Sequence, residues 1–276
     1  MSKIWGCRYN NNQVEKLVLP DTDDMDEITR GFGEGVYTTL RTYRGEKVLL
    51  LSEHLQRLEH SAKLSGISIT VNKAGARRTL RRLIEEAGGK DIRIRLIILF
   101  SKPEEMIGLA TILVPPSMED YRQGVVVQTR HMHRDNPEAK VTQFIQTASG
   151  LRKQASQEIH EIIMVDDEGN FLEGLSSNFF VISHGEIWTA EKGVLPGITR
   201  EIVLQCIREL QIQLRLEGFP LERLDEIEEA FITSASRGIL PVRKIDQYNV
   251  PITPGPVTTT LSTRFQQKIS ELLEEI

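Results

Sequence analysis

The run Glu173-Gly174-Leu175-Ser176-Ser177-Asn178-Phe179-Phe180 constrains this chain more than any other stretch. Glu173 stands between a turn-forming segment, Asp166-Asp167-Glu168-Gly169-Asn170, and a strongly apolar strand. A carboxylate in such a place is costly to bury unless it meets a positive partner. The strand at 179–182 is expected to form a hairpin with 186–190 across Ser183-His184-Gly185.

Two further features flank that carboxylate. Lys140 lies 33 positions before it, closing the turn-like Asp135-Asn136-Pro137-Glu138-Ala139 and leading into a helical run rich in small residues, 142–155. Alone it reads as a solvated lysine; its setting singles it out. Downstream, Leu195-Pro196-Gly197-Ile198-Thr199-Arg200 starts a helix after a glycine, where free backbone N–H groups and the helix dipole favour a phosphate. Arg57 follows His54 at helical spacing and can add a charge-assisted phosphate contact, though alone it reads equally as a surface arginine. An amine for a Schiff base, a carboxylate for a pyridinium nitrogen and a phosphate cradle are the three things pyridoxal 5'-phosphate (PLP) needs, because its aldehyde, ring nitrogen and phosphate are held by different chemistry.

A chain of 276 residues with 39% hydrophobic and 26% charged content has the make-up of a soluble globular protein with a real core. The net charge of -5 leaves no electrostatic footprint for nucleic acid. Arg77, Arg78, Arg81 and Arg82 cluster beside Leu80, Leu83 and Ile84 at helical spacing, which reads as a solvated helix face. Cys7 and Cys206 are far apart and without metal spacing, as free thiols of a reducing cytoplasm would be. The start Met1-Ser2-Lys3-Ile4-Trp5-Gly6 has no apolar core region, and the longest apolar run is 96–100, so neither a signal peptide nor a membrane span is expected.

Along the chain, 35–43 and 47–51 read as a hairpin, followed by a helix capped by Ser52 and ending at Gly66. A second helix is expected over 73–87, then a strand pair at 92–100 and 108–114. The boundary falls at Pro115-Pro116-Ser117, dividing the chain into a small α+β domain (1–120) and a larger domain (121–276). The latter has strands at 124–130 and 161–166 around a helix at 145–159, a helix at 199–210, a strand at 230–234 and a C-terminal helix from Pro256.

Other motifs point nowhere. Gly31-Phe32-Gly33-Glu34-Gly35 lacks the preceding strand and following helix of a dinucleotide loop, because 21–30 is acidic and loop-like. His131-Met132-His133 has no third ligand nearby in sequence, so no metal is expected. Neither a Gly-x-Ser-x-Gly elbow nor a P-loop occurs.

Taken together, these residues resemble the fold-type IV PLP enzymes, the group of branched-chain aminotransferases, D-amino-acid aminotransferases and aminodeoxychorismate lyases. The resemblance runs from about Gly31 to Pro256 through GFGEGVYTTLR, EHLQRLEHSA, Lys140, EGLSSNFF, Thr189, LPGITR and EAFITSASRGILPV. It implies a two-domain α+β fold with a β-barrel-like large domain and flanking helices. By position, Lys140 resembles the Schiff-base lysine and Glu173 the partner of the pyridine nitrogen. Arg57, Ile198 and Thr199 resemble phosphate ligands, and Ser234, Ala235 and Ser236 a turn that holds phosphate and substrate carboxylate. Tyr37 and Arg95 match positions near the substrate.

Four positions depart from the family pattern. Leu175 follows Glu-Gly where a small residue is usual, and Ala235 stands where a Thr hydroxyl is common. Gln143-Phe144 replaces the Asn or Asn-Tyr that often follows the lysine. The stretch 101–107 lacks the Arg-x-His pair of the best-known D-amino-acid aminotransferases. The resemblance implies transamination of an α-amino acid, with an apolar or branched-chain side chain, to a 2-oxo acid in a cytoplasmic homodimer. The alternatives are pyruvate elimination from aminodeoxychorismate, to which Tyr37-Thr38-Thr39 is similar in some lyases, a D-amino-acid aminotransferase, or a catalytically idle PLP-binding protein. Retention of Lys140 with Glu173 counts against the last.

Overall fold

The computed structural model describes residues 4–276, and its first element, β1 (Ile4–Asn10), pairs antiparallel with β2 (Gln13–Lys16). After them come α1 (Met25–Phe32), β3 (Gly35–Tyr43), β4 (Lys47–Leu49), α2 (Leu51–Leu64), α3 (Lys73–Ala87), β5 (Ile92–Leu99) and β6 (Lys102–Ile112). The sheet they form runs from the C-terminal strand Leu273–Glu275 through β4, β3, β5, β6 and β1 to β2, with antiparallel pairing throughout. Strand alternation gives it two faces. Val36 and Leu40 of β3 pack with Leu55, Leu58, Leu80 and Leu83 of α2 and α3, whereas Tyr37 joins Ile97, Leu99, Ile107 and Leu109 with Met25 and Ile28 of α1.

Two features of this unit differ from the sequence expectation. The acidic segment 21–30 is largely helical, not loop-like. Asp24 caps α1 by accepting from the amides of Asp26 and Glu27 at 2.8 and 3.2 Å, and acidic groups in a first turn suit the positive end of the helix dipole. Nor does Ser52 cap α2. Leu50 is the N-cap and offers no side-chain cap; the Leu51 amide instead donates to the Glu274 carboxylate at 2.7 Å, a partner 223 residues away. The helix at 73–87 forms as expected, with the Asn72 side chain accepting from the Gly75 amide at 2.9 Å.

A second unit contains α4 (Met118–Gln123) and β7 (Val125–His131), then the end of α5 (Gln143–Gln154) beyond Ser149. It continues with β8 (Ile159–Val165), β9 (Phe171–Gly174), β10 (Asn178–Ser183), β11 (Glu186–Trp188), α6 (Ile198–Glu209), β12 (Leu214–Arg215), β13 (Glu229–Ser234), β14 (Gly238–Ile245), β15 (Tyr248–Asn249) and α7 (Pro256–Leu272). The helix expected to reach 159 stops at Gln154, and β8 begins at Ile159. Strands run in the order β12-β11-β10-β13-β14-β7-β8-β9, and β9 pairs back on β10, so six of them close a barrel. Its interior is filled by Val127, Ile163, Phe171, Phe179, Val181, Ile232 and Leu240, all buried.

The two compact units are interleaved in sequence. The first holds residues up to Val114 together with Ala139–Ser149 and Leu272–Ile276; the second holds Pro115–Glu138 and Gly150–Glu271. Among the described residues no helix is long and apolar enough to cross a membrane. The sequence reading of Met1–Lys3 lies outside the described residues.

Candidate active site

In the first unit, β3 pairs with β5 along residues 35–41 but with β4 only at Thr42 and Tyr43, which leaves the start of its other edge for a different partner. The segment around Lys140 takes that edge. Tyr37 donates its amide to the Lys140 carbonyl at 3.0 Å, Thr142 donates to the Gly35 carbonyl at 2.9 Å, and Val36 bridges Val141. The Thr142 hydroxyl accepts from the Gly35 amide at 3.0 Å, and the Lys140 amide donates to Ser61 Oγ at 3.0 Å. Gly35 must be glycine here, because a Cβ would run into the Ile98 carbonyl. The Lys140 backbone is thus fixed on both sides, and its half-buried Nζ lies 4.8 Å from the Tyr37 ring centroid.

The same ring meets the Arg95 guanidinium at 4.9 Å. Arg95 is 2% exposed and donates to Thr29 Oγ1 and Asp26 Oδ1, each at 2.7 Å, and to the Met25 carbonyl at 3.3 Å. Its outer nitrogens are therefore committed to α1. Arg57 differs. Its Nη2 donates to Thr38 Oγ1 at 2.6 Å and lies 3.4 Å from His54 Nδ1; its buried Nε, like that of Arg95, has no partner. Burial pulls the guanidinium down to about 10. Burial, and then the charges of Arg57 and Lys140, hold His54 well below the usual imidazole range, so it is neutral.

In the second unit Glu173 is the penultimate residue of β9, is 3% exposed and pairs in register with Asn178 of β10. The positive partner that its burial demands is Arg134, whose Nη1 is 3.1 Å from Oε1. Asn178 Nδ2 donates to Glu173 Oε2 at 3.1 Å and to the Leu195 carbonyl at 2.9 Å. The second bond joins the carboxylate to the segment leading into α6. Gly197 is the N-cap of that helix and supplies no side-chain cap, so the first-turn amides at Ile198 and Thr199 have no side-chain acceptor from it. A Cβ at Gly197 would collide with Asn178 Oδ1.

Ser234 ends β13, and Ala235 and Ser236 lie in the half-buried turn that leads to β14. The next residue, Arg237, anchors it: Nη1 is 3.0 Å from Glu161 Oε2 and Nη2 donates to Ser176 Oγ at 2.7 Å. Glu161 also accepts from Ser176 and Ser177 at 2.7 and 3.1 Å. Burial alone would raise its carboxyl, but Arg237, followed by Arg152 and these hydrogen bonds, holds it below the ordinary range. Leu175, the departure after Glu-Gly, is buried and donates its amide to the Ile162 carbonyl at 3.0 Å.

The first unit thus gathers Lys140, Tyr37, Arg95 and Arg57, and the second gathers Glu173, the start of α6 and the 234–236 turn. Sequence reasoning did not single out Arg134, Asn178, Arg237, Thr38 or Glu161. The demand of Glu173 for a cation signalled that an arginine was needed, but not which one. His131 and His133 are exposed, and among the described residues no group of three or more possible metal ligands occurs.

A lysine fixed on a strand edge and a buried, ion-paired carboxylate are two of the side chains that a PLP-using enzyme needs. The residues present fit that cofactor: the orphaned Nε of Arg57 is a buried donor suited to an anion, and the start of α6 is another. Residues 35–245 match the family model for amino-transferase class IV, and the chain belongs to that family, whose cofactor is PLP. It is 28% identical to a probable branched-chain-amino-acid aminotransferase of Thermotoga maritima, over 91% of this chain and 92% of the relative. It is 27% identical to an aminodeoxychorismate lyase of Bacillus subtilis, over 88% of each, and D-alanine aminotransferases are also similar. Among solved structures, a branched-chain amino acid aminotransferase from Escherichia coli shares the fold, with a TM-score of 0.78 at 21% identity over 98% of this chain and 99% of that one.

Proposed function

We propose that this class IV enzyme transfers the amino group of an α-amino acid with an apolar, branched-chain-sized side chain to a 2-oxo acid. The observation that carries this reading is the surroundings of Tyr37. Its ring packs in one cluster with Ile97, Leu99, Ile107 and Leu109 of the sheet and Ile145 of α5, and the Arg95 guanidinium against its ring already holds Asp26. Apolar surroundings of this kind favour aliphatic donors, at about 0.8 kcal/mol per buried methylene, over a dicarboxylate that needs a free cation.

When bound, PLP supplies a carbonyl for the amine and an electron sink for the carbanion at the substrate Cα. In this reading the Lys140 amine is the nucleophile that holds the cofactor, and once displaced by substrate it carries the proton to and from Cα. Glu173, oriented by Arg134 and Asn178, would hold a proton on the ring nitrogen. Arg57, the amides of Ile198 and Thr199, and the 234–236 turn bind phosphate. Tyr37, Arg95, Ala235 and Ser236 border the substrate. Buried free thiols at Cys7 and Cys206 agree with a cytoplasmic protein, and a homodimer is the assembly we propose.

One observation favours a second reading. Thr39 lies half-buried two residues after Tyr37 on the same face, completing the triplet that is similar to that of some lyases, and a lyase is among the relatives. A screen of L- and D-amino acids against 2-oxoglutarate and pyruvate tests the proposal. Efficiency that rises from L-alanine towards L-leucine supports it. Pyruvate release from aminodeoxychorismate without amino transfer selects the lyase, and turnover confined to D-amino acids selects the D-specific enzyme.

A further inference from the structure

Arg57 is a half-buried cation held by neutral groups, and in this it differs from Arg95, Arg134 and Arg237. Arg95, Arg134 and Arg237 each have a carboxylate oxygen within hydrogen-bond distance, at 2.7, 3.1 and 3.0 Å. Arg57 instead donates to the Thr38 hydroxyl at 2.6 Å. That hydroxyl, having accepted, has its own proton to place, and His54 Nδ1 stands 2.7 Å away. Thr38 is fully buried and His54 is 3% exposed, so water does not stand in for either partner. The bonds then run one way, from Arg57 through the Thr38 hydroxyl to an unprotonated His54 Nδ1.

We propose that Thr38 and His54 are positioning residues, which aim the Arg57 guanidinium at the cofactor phosphate through this hydrogen-bond chain. The inference rests on the reading of Arg57 as a phosphate ligand. Its physical logic is that a carboxylate in place of Thr38 would orient the guanidinium equally well but neutralise the charge that the phosphate is to meet. A neutral hydroxyl fixes the orientation and leaves the charge, and the unpartnered Nε, for the ligand. Thr38 comes from β3 and His54 from one turn before Arg57 on α2, so strand and helix together set the direction of a side chain that would otherwise have many rotamers. A protonated His54 would place an N–H against the hydroxyl and break the chain; burial and the charges of Arg57 and Lys140 oppose that proton.

The test is equilibrium binding, read by intrinsic fluorescence as the full-length protein, stripped of cofactor, is titrated with PLP and, separately, with pyridoxal, which lacks the phosphate. Thr38→Val removes the hydroxyl at nearly constant volume and should raise the Kd for PLP on the order of tenfold or more, with the pyridoxal Kd unchanged. Thr38→Ser should restore PLP binding, and His54→Gln provides a second variant should Thr38→Val fail to fold. On an Arg57→Ala background, Thr38→Val should weaken PLP binding no further. Equal losses for PLP and pyridoxal, or a full effect of Thr38→Val without Arg57, would overturn the inference, since either marks a purely structural role. If Arg57→Ala alone leaves PLP affinity unchanged, the phosphate reading of Arg57 fails first. If Arg57→Ala weakens PLP binding while Thr38→Val and His54→Gln do not, only the positioning inference fails.

Discussion

Tyr37 donates its backbone amide to the carbonyl of Lys140 at 3.0 Å, and its ring lies 4.8 Å from the Nζ of the same lysine. One residue therefore registers the lysine backbone against β3 and presents an aromatic face to the amine. The bridge between Val36 and Val141 and the Ser61 hydroxyl complete the hold, so the amine is carried on a rigid strand edge rather than on a free loop.

Lys140→Ala should abolish both amino transfer and covalent attachment of PLP. Borohydride reduction followed by mass spectrometry should find the adduct on the peptide holding residue 140 in the wild type and no adduct in the variant. An adduct on another lysine would remove Lys140 from its proposed role.

Glu173→Gln keeps the shape of the side chain but removes the charge that meets Arg134 and, in the proposed role, would meet the ring nitrogen. Turnover should fall on the order of a hundredfold or more, the effect of losing one preorganised charge, with PLP still bound. Wild-type turnover in this variant would make the carboxylate structural only.

Asp26→Asn leaves the Arg95 guanidinium, whose side chain is 3% exposed, without its carboxylate. Breaking a buried pair from one side costs about 3–5 kcal/mol, and the 18% exposure of Asp26 places the expected loss at or below the lower end of that range. Denaturant titration of the variant gives the number. No change in stability would show that Arg95 is not held through Asp26.

The folded-state pKa of Glu161 lies below the ordinary value of 4.5: burial, the largest single influence, raises it, but Arg237, Arg152 and the hydrogen bonds from Ser176 and Arg237 together lower it further. A carboxyl depressed on folding stabilises the protein above its ordinary pKa, and that contribution is lost as pH falls through the lowered value. Arg237→Met should therefore move the midpoint of acid unfolding to higher pH. An unchanged midpoint, followed by circular dichroism across an acid titration, would mean that Arg237 does not set the ionisation of Glu161.

Much of this was legible in the sequence where the signal is local. The β3–β4 hairpin, the helix at 73–87 and the glycine-led start of α6 follow from residues close to one another in the chain. Glu173 announced its need for a cation because a carboxylate beside an apolar strand is costly to bury. What could not be read is what depends on distant pairing. The edge of β3 is completed by a segment about a hundred residues later, and the start of α2 by Glu274. The helix α1 was hidden because its acidic residues resemble a solvated loop until Asp24 is seen to cap it and Arg95 to grip it. Arg134 and Arg237 carry no motif of their own and are identified only by the carboxylates they meet.

The most direct test of the account is a single half-reaction. The PLP-loaded protein, mixed with L-leucine and no 2-oxo acid, should release one equivalent of 4-methyl-2-oxopentanoate per bound PLP and then stop until an acceptor such as 2-oxoglutarate is added. No release from leucine or any other amino acid, together with catalytic pyruvate formation from aminodeoxychorismate, would contradict it.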